Sequence, residues 1–286
     1  MYLYLEWIAR KNGIGVETMK HYLINTSWKC QLTCSYCWVR KHINQIPELN
    51  SVTMRPLEDW VKAIQRDPPD IMDIGGGEPL SVPWTLDLIR TFPNIQWGLS
   101  TNGINNERIV ELARYRIPQI ININLSYHPE AARKYAWYDE QWKHEIQLLH
   151  NSGYWLSPNL EDNNENVVRS KWAIEWLESI GLHMVISPLC GGVKELAYRQ
   201  DQALTCDAGV NFITVDPAGN AWPCLSSLNS YAWKETCLGN WLDDTIDLRK
   251  KPSPCHLFCV EYNVQYAQHE SGDFWGIHAR PWEEKE

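Results

Sequence analysis

Residues 120–126 read Ile-Ile-Asn-Ile-Asn-Leu-Ser. In a strand, Ile121, Ile123 and Leu125 share one face of this stretch, and Asn122, Asn124 and Ser126 share the other. A parallel strand covered by helices on both faces should be apolar throughout, yet this one keeps a polar side. The same split recurs nearby: Ile95, Trp97 and Leu99 oppose Gln96, Gly98, Ser100 and Asn102, while Met184 and Ile186 oppose His183, Val185 and Ser187. The pattern predicts a curved sheet with helices on its convex apolar side. Its polar lumen would be lined by Asn25, Asp73, Ser100, Asn102, Asn122, Asn124, Ser126, Ser157, Asn159 and His183. A partly solvated sheet face would give the same alternation.

Outward from this stretch, strands are expected at His21–Ser27, Asp70–Ile74, Ile95–Asn102, Tyr154–Asn159 and His183–Ser187. Between them lie segments with apolar residues at helical spacing. Pro56–Arg66 carries Leu57, Trp60, Val61 and Ile64, and Tyr138–Leu149 carries Tyr138, Trp142, Ile146 and Leu149. Asn166–Ile180 carries Ala173, Trp176, Leu177 and Ile180, and shorter helices are expected near Val82–Thr91 and Glu107–Arg116. Six βα units imply an α/β fold with a parallel sheet. After residue 188 the rhythm gives way to Gly191-Gly192, the turn Asp216–Asn220 and short pieces such as Asn211–Val215. The expected division is an N-terminal extension (1–19), a βα domain (20–188) and a smaller cysteine-rich domain with a tail (189–286).

Composition excludes several functions. Among 286 residues no apolar run approaches the roughly 20 needed to span a bilayer, so no membrane partner is expected. A net charge of -9 argues against a nucleic-acid partner held by phosphate neutralisation. The chain has 9 cysteines and 16 tryptophans. With no basic and apolar signal segment at the N-terminus, a reducing, cytoplasmic setting is expected, where cysteines serve as metal ligands or catalytic thiols more often than in disulfides.

Cys30-Gln-Leu-Thr-Cys34-Ser-Tyr-Cys37 follows the first strand on what should be a loop over the mouth of the sheet. Three soft thiolates suit a [4Fe–4S] cluster with one iron left open to a non-protein ligand. Zinc held by three cysteines and a histidine such as His42 is the other reading of the spacing. The C-x3-C-x2-C loop with Tyr36 before its last cysteine resembles that of the radical S-adenosylmethionine (radical SAM) superfamily. The resemblance continues in Gly75-Gly76-Gly77-Glu78-Pro79-Leu80 after the second strand and Ser100-Thr101-Asn102-Gly103 after the third, and covers roughly residues 20–188. It implies a partial (βα)6 TIM-like barrel, a [4Fe–4S] cluster on Cys30, Cys34 and Cys37, and SAM on the open iron. It also implies that Gly75, Gly76 and Gly77 approach the methionyl ammonium and that Glu78 fixes the loop. Tyr36 would face adenine, and Ser100, Asn102, Ser126 and Asn159 the rest of SAM.

A second group comprises Cys206, Cys224, Cys255 and Cys259. The run C-x12-G-x4-C over Cys206, Gly219 and Cys224, with Asp216-Pro217 and Leu238-Gly239-Asn240, resembles the opening of the superfamily's SPASM and twitch extensions. The shorter twitch type implies one auxiliary [4Fe–4S] cluster on these four cysteines. The same four could hold structural zinc. Cys190 and Cys237 are left over; both fit as small packed hydrophobes, and Cys237 could replace Cys255 or Cys259 as a ligand. Trp60, Trp142 and Trp176 are expected in the core, whereas Trp38, Trp222, Trp275 and Trp282 could wall a substrate pocket.

The resulting expectation is an enzyme that cleaves SAM to a 5′-deoxyadenosyl radical and oxidises, cross-links or epimerises a peptide residue. A low-potential donor such as flavodoxin or ferredoxin would supply its electrons. His128, His183, Asn122 and Asn124 are the candidates on the substrate side, and Asp139 is a further proton-transfer candidate. Only about 20 residues precede the first strand, which leaves no room there for a winged-helix peptide-binding domain. Two alternatives stand beside this reading: a small-molecule radical SAM dehydrogenase or epimerase, and a non-catalytic zinc or iron–sulfur binding protein.

Overall fold

The structure, a computed structural model, describes residues 19–37, 39–40, 53–162, 168–188, 199–206, 208–228, 233–251, 253–257, 265–266 and 279–281. Strands β1 (His21–Asn25), β2 (Ile71–Gly75), β3 (Gln96–Thr101) and β4 (Ile120–Leu125) lie side by side and parallel. Bridges from Ile123 to Leu156 and from Ser126 to Asn159 carry the parallel run on to β5 (Asn159–Asp162), which pairs with β6 (Val185–Pro188). The expected strand order is present, but the fifth strand begins where Tyr154–Asn159 was expected to end. Pro158 has no N–H to give a ladder, and Tyr154 turns its hydroxyl outward to Ile117 N (2.8 Å) and Leu112 O (3.1 Å).

Helices α1 (Leu57–Arg66), α2 (Thr85–Thr91), α3 (Asn106–Arg114), α4 (Pro129–Lys134), α5 (Tyr138–Asn151) and α6 (Lys171–Ser179) fill the connections. Against them the strands bury Tyr22, Ile24, Met72, Ile74, Trp97, Leu99, Ile123 and Leu125. Trp60 and Trp142 enter this core from the stripes of α1 and α5 and are fully buried. Each contributes roughly 4–6 kcal/mol of gross apolar burial. Ile121 departs from the expected face. The β3–β4 register shifts between Trp97–Ile120 and Gly98–Asn122, so Ile121 becomes an extra, half-buried residue. Ile120 takes its place in the core.

The largest departure from expectation lies beyond residue 188. β8 (Phe212–Val215) pairs parallel with the other edge of β1, and β9 (Asn220–Trp222) and β10 (Gly239–Asn240) extend the same sheet. The order is β10-β9-β8-β1-β2-β3-β4, so the main sheet crosses the boundary expected at 188. Phe212, Ile213, Thr214 and Val215 are all buried, as befits an interior parallel strand. Trp241, just past β10, packs edge-on against Tyr22 (5.6 Å between centroids) and against Trp60 (6.4 Å). β7 (Arg199–Cys206), β11 (Ser253–Leu257) and β13 (Ala279–Pro281) make a separate antiparallel sheet, and β12 (Gln265–Tyr266) pairs with β6. Two short helices, α7 (Leu225–Leu228) and α8 (Trp233–Thr236), lie between β9 and β10. Among the described residues no helix is long and apolar enough to cross a membrane.

Candidate functional site

The C-terminal ends of β1 to β4 open on a cavity of about 310 Å3, within the range of small-ligand sites. Cys30, Cys34, Cys37, Tyr36 and His128 line one side, and Gly75, Gly76 and Gly77 another. Ser100, Asn102, Asn124, Ser126 and Asn159 complete the polar wall. Strand register explains this gathering: Asn25 lies beside Gly75, Ser100 beside Asn124 and Ser126 beside Asn159. Of the residues expected in the lumen or at its mouth, Asp73, Glu78, Asn122, Ser157 and His183 do not line the cavity.

The three glycines do different work. A Cβ on Gly77 would meet Lys29 O at 2.2 Å, and one on Gly76, at φ +111°, would meet Ser27 O at 2.5 Å. Both leave room for the backbone entering the cysteine loop, which Gly77 N and Glu78 N grip by bonds to Ser27 O (2.7 Å) and Lys29 O (2.8 Å). On Gly75 a Cβ would make ordinary contacts only, the nearest Leu23 Cδ1 at 3.7 Å. Gly75 therefore keeps open cavity space rather than chain packing.

Glu78 is buried beneath this segment. Its Oε1 accepts from Leu80 N (2.9 Å) and Thr101 Oγ1 (2.8 Å), and its Oε2 from Asn102 N (2.7 Å). Burial raises its carboxyl to about 7, against the lowering pull of those donors. The side chain thus ties the loop after β2 to the end of β3 and faces protein on every side. Glu145 of α5, which sequence reasoning missed, closes on the same loop: a Cβ on Gly103, at φ +72°, would meet Glu145 Oε2 at 2.3 Å. Its Oε1 accepts from Gln141 Nε2 (2.8 Å), and burial pushes its carboxyl up to about 8. The missed signal was its place three residues after Trp142 on the buried stripe of α5.

The cysteine loop is held from both ends. Asn102 Nδ2 donates to Cys30 Sγ (3.3 Å), as does Leu32 N (3.4 Å). Glu130, at the start of α4, accepts from Ser35 N (2.7 Å) and from the Ser35 hydroxyl. Cys34 is buried, and its sulfur lies 3.5 Å from His128 Nδ1, which is also 3.1 Å from the Tyr36 hydroxyl. The Tyr36 and His128 rings lie nearly parallel (13° between planes) with their centroids 6.3 Å apart, so they meet through the hydroxyl and Nδ1. Burial pushes the Cys34 thiol up to about 12 and also raises Cys30, while it lowers His128 to about 4. The imidazole is therefore neutral near pH 7.

Asn122 lies one layer deeper in the lumen and donates from Nδ2 to Ser157 Oγ (2.8 Å). Asp73 shares that depth and pairs through Oδ2 with His21 Nε2 (2.7 Å), both buried. His21 was not anticipated, because its place on the strand gave no sign of a buried partner. His183 is a correction: it is exposed and does not enter the lumen. β6 starts at Val185, which leaves His183 in the connection that follows Gly181 at φ +77°. Asp139 accepts from the Tyr127 hydroxyl (2.8 Å).

Of the second cysteine group, Cys224 precedes α7, and its neighbour Leu225 lines the cavity. Ser227 N donates to Cys224 Sγ (3.4 Å). Cys206 and Cys255 fall in adjacent antiparallel strands, Cys206 opposite Ser253 and Cys255 opposite Leu204. Cys190 and Cys259 lie outside the described residues, as do Trp38, Trp275 and Trp282. Trp222 is buried in the sheet rather than set in a pocket wall, and Cys237 makes a contact with Gly239 O at 3.7 Å. The Asp216 turn is built as its sequence suggests: Asp216 Oδ1 accepts from Ala218 N and Asn220 N, both at 2.9 Å. Among the described residues no three His, Cys, Asp or Glu side chains converge on one ion-sized point.

Comparison with known proteins bears on the barrel. Molybdenum cofactor biosynthesis protein 1 from Homo sapiens is 27% identical over 106 residues, which is 36% of this chain and 17% of that protein. The Mus musculus protein is 26% identical over the same share of each chain. Two solved structures share the fold. One, anSMEcpe with bound AdoMet, has a TM-score of 0.55 at 14% identity and covers 79% of this chain and 76% of its own. The other, SuiB of Streptococcus suis bound to S-adenosylmethionine, has a TM-score of 0.51 at 14% identity and covers 84% and 66%. The model of the radical SAM superfamily matches residues 24–157. The cysteine loop, the glycine segment and the Ser100–Gly103 loop all fall inside that span, which forms a radical SAM superfamily domain.

Proposed function

We propose that this chain is a cytoplasmic radical SAM enzyme acting on a peptide residue. The observation that carries the reading is that three thiols, a bare glycine and a ring of neutral polar groups face one cavity. A four-iron cluster takes one thiolate per iron, so it needs cysteines spread around a wall rather than focused on a point. Cys30, Cys34 and Cys37 meet that need, and Gly75 leaves space for SAM on the fourth iron. When bound, these groups supply one-electron cleavage of SAM and hydrogen abstraction by the resulting 5′-deoxyadenosyl radical.

The chain's own residues bind and exclude. Ser100, Asn102, Ser126 and Asn159 offer hydrogen bonds to the methionyl and ribose ends, and Leu23 and Leu32 keep water from that side. Glu78 holds the two loops in register. Cys206, Cys224, Cys255 and Cys259 would hold an auxiliary cluster in a twitch-type arrangement, with flavodoxin or ferredoxin as donor. The neighbouring strands of Cys206 and Cys255, and the place of Cys224 beside a cavity residue, support that arrangement. A peptide substrate is supported by anSMEcpe, which has also been solved with AdoMet and a Kp18Cys peptide (TM-score 0.52). The partial match to a cofactor-biosynthesis protein favours a small molecule as the second reading.

The test is an anaerobic assay of 5′-deoxyadenosine with peptides in one arm and small metabolites, including nucleotides and amino sugars, in the other. Stimulation by peptide is expected; stimulation by small molecules alone would move the assignment to the second reading. Zinc without sulfide in anaerobically purified protein would end both.

A further inference from the structure

Part of the tryptophan excess is gathered directly behind the cavity. Ser126 and His128 stand in the cavity wall and hold the Tyr138 hydroxyl between them: His128 N donates to it (2.9 Å), and it donates to Ser126 O (3.4 Å). From Tyr138 a run of touching rings leads away from the cavity. Tyr138 meets Tyr127 at 5.7 Å between centroids, and Tyr127 meets Trp142 at 5.1 Å and Trp172 at 5.6 Å, both edge-on. Trp176 joins through Trp142 (5.9 Å), and a second branch runs from Tyr138 to the exposed Trp137 (6.2 Å). Rings this close exchange electrons readily, so an oxidised ring passes its loss to whichever member bears it best.

The hydrogen bonds single out that member. An oxidised phenol or indole is a strong acid, stabilised when a base takes its proton. Among the described residues, Tyr127 is the ring of this group whose hydroxyl donates to a carboxylate: Asp139 Oδ1 lies 2.8 Å away, and Asp139 is half-buried, where water can take the proton onward. The Tyr138 hydroxyl faces an N–H and a carbonyl, neither of which serves as a base. Trp142 Nε1 is buried with no hydrogen-bond partner. The Lys143 ammonium lies 4.8 Å from the centre of the Trp172 ring, and a cation held by an electron-rich ring opposes removal of an electron from it.

We propose that Tyr127 is a redox-active tyrosine that collects one-electron oxidising equivalents arising at the cavity wall, with Asp139 as its proton acceptor. The source of those equivalents rests on the function proposed above. With no substrate in place, a 5′-deoxyadenosyl radical that takes the hydroxyl hydrogen of Tyr36, a residue of the wall, becomes 5′-deoxyadenosine and leaves a phenoxyl. That phenoxyl regains an electron from Tyr127 by way of Tyr138 and a proton from cavity water. Tyr127 gives up its own proton to Asp139, so one hydrogen-atom equivalent has moved and the unpaired electron rests away from the cysteine loop.

The test is flash-quench photo-oxidation of the metal-free protein with tris(bipyridine)ruthenium, read by EPR of freeze-trapped samples. Exposed Trp137 gives the external oxidant its way in. A tyrosyl signal that outlives those of exposed tyrosines is expected in the wild type and should be lost in Tyr127→Phe, which keeps the ring and its packing. Asp139→Asn, whose amide accepts the hydrogen bond but not the proton, should reduce it several-fold. Tyr115→Phe, which removes an exposed tyrosine, should leave it unchanged. In a second arm, reconstituted enzyme given SAM and reductant without substrate should lose activity sooner as Tyr127→Phe, with oxidation at Tyr36 found by mass spectrometry. A persistent signal of equal size in folded Tyr127→Phe, one indifferent to Asp139→Asn, or equal survival in the second arm would overturn the proposal. A chain that forms no cluster would overturn the proposed function and leave the flash-quench result standing.

Discussion

The two cysteine groups of this chain are built in opposite ways. Cys30, Cys34 and Cys37 come from one short loop, gripped by Gly77, Glu78 and Glu130 and stationed at the mouth of four adjacent strands. Cys206, Cys224 and Cys255 come from three elements, two of them in a separate antiparallel sheet. The first group is prepared by local packing before any metal arrives. In the second, the described strands place only Cys206 and Cys255 in neighbouring strands, so metal binding at the proposed auxiliary site would be coupled more closely to folding. The lesson is that three cysteines in one loop and four spread along the chain place different demands on folding.

The largest effect should separate the two directly. Cys30→Ala is expected to abolish SAM cleavage and to remove about four of about eight irons per chain. Cys224→Ala should leave uncoupled 5′-deoxyadenosine formation; equal and complete losses in folded protein would erase the distinction. Next come the glycines. Gly77→Ala drives a methyl into Lys29 O and should cost about 3 kcal/mol in denaturant unfolding. Gly75→Ala should cost less than 1 kcal/mol, roughly, yet weaken SAM binding in calorimetry, since it meets only ordinary contacts. A stable Gly77→Ala protein would show that the loop is not preformed by that contact.

A smaller effect is expected from Glu78→Gln, which turns an amide toward Asn102 N or Leu80 N and leaves a buried donor unpaired. A loss of about 1–3 kcal/mol should be read by chemical denaturation. The last is a pH effect. The Glu145 carboxyl is raised to about 8 in the fold, against an ordinary value of about 4.3 when unfolded. Its contribution is therefore complete below the unfolded value and is lost as pH rises through about 8. The melting temperature of the native protein should fall relative to Glu145→Gln between pH 5 and about 8.5. A constant difference across that range would mean that Glu145 stays equally protonated in both states.

The barrel half was legible because its signals are local. Alternation in Ile120–Ser126 identified the polar lumen, and the cysteine, glycine and Ser100–Gly103 motifs each fell on the loop after the strand that presents them. What escaped was set by tertiary contact. Phe212-Ile-Thr-Val215 is a short β-branched run buried throughout, as an interior parallel strand is, but its distance from the βα repeats hid its partner. Glu145 was read as part of a helix because nothing in a helical stripe announces a neighbour such as Gly103. His183 was misplaced by two residues of strand boundary, enough to move it from lumen to solvent. The approach of His128 Nδ1 to the Tyr36 hydroxyl (3.1 Å), across 92 residues, is likewise invisible to a local motif.

The seat of β8 beside β1 also shapes how the molecule assembles. His21 reaches its partner Asp73 across 52 residues, whereas Asn25 donates to Val215 across 190. The longer closure adds only about 1 kcal/mol of chain entropy, but it comes late in synthesis. Until residue 215 has left the ribosome, one edge of β1 stays unpaired, open to mispairing with another chain. The cysteine loop hangs from that same strand. The nascent chain thus presents its first three thiols on a half-finished sheet, and the docking of β8 on the open edge of β1 secures the platform beneath them.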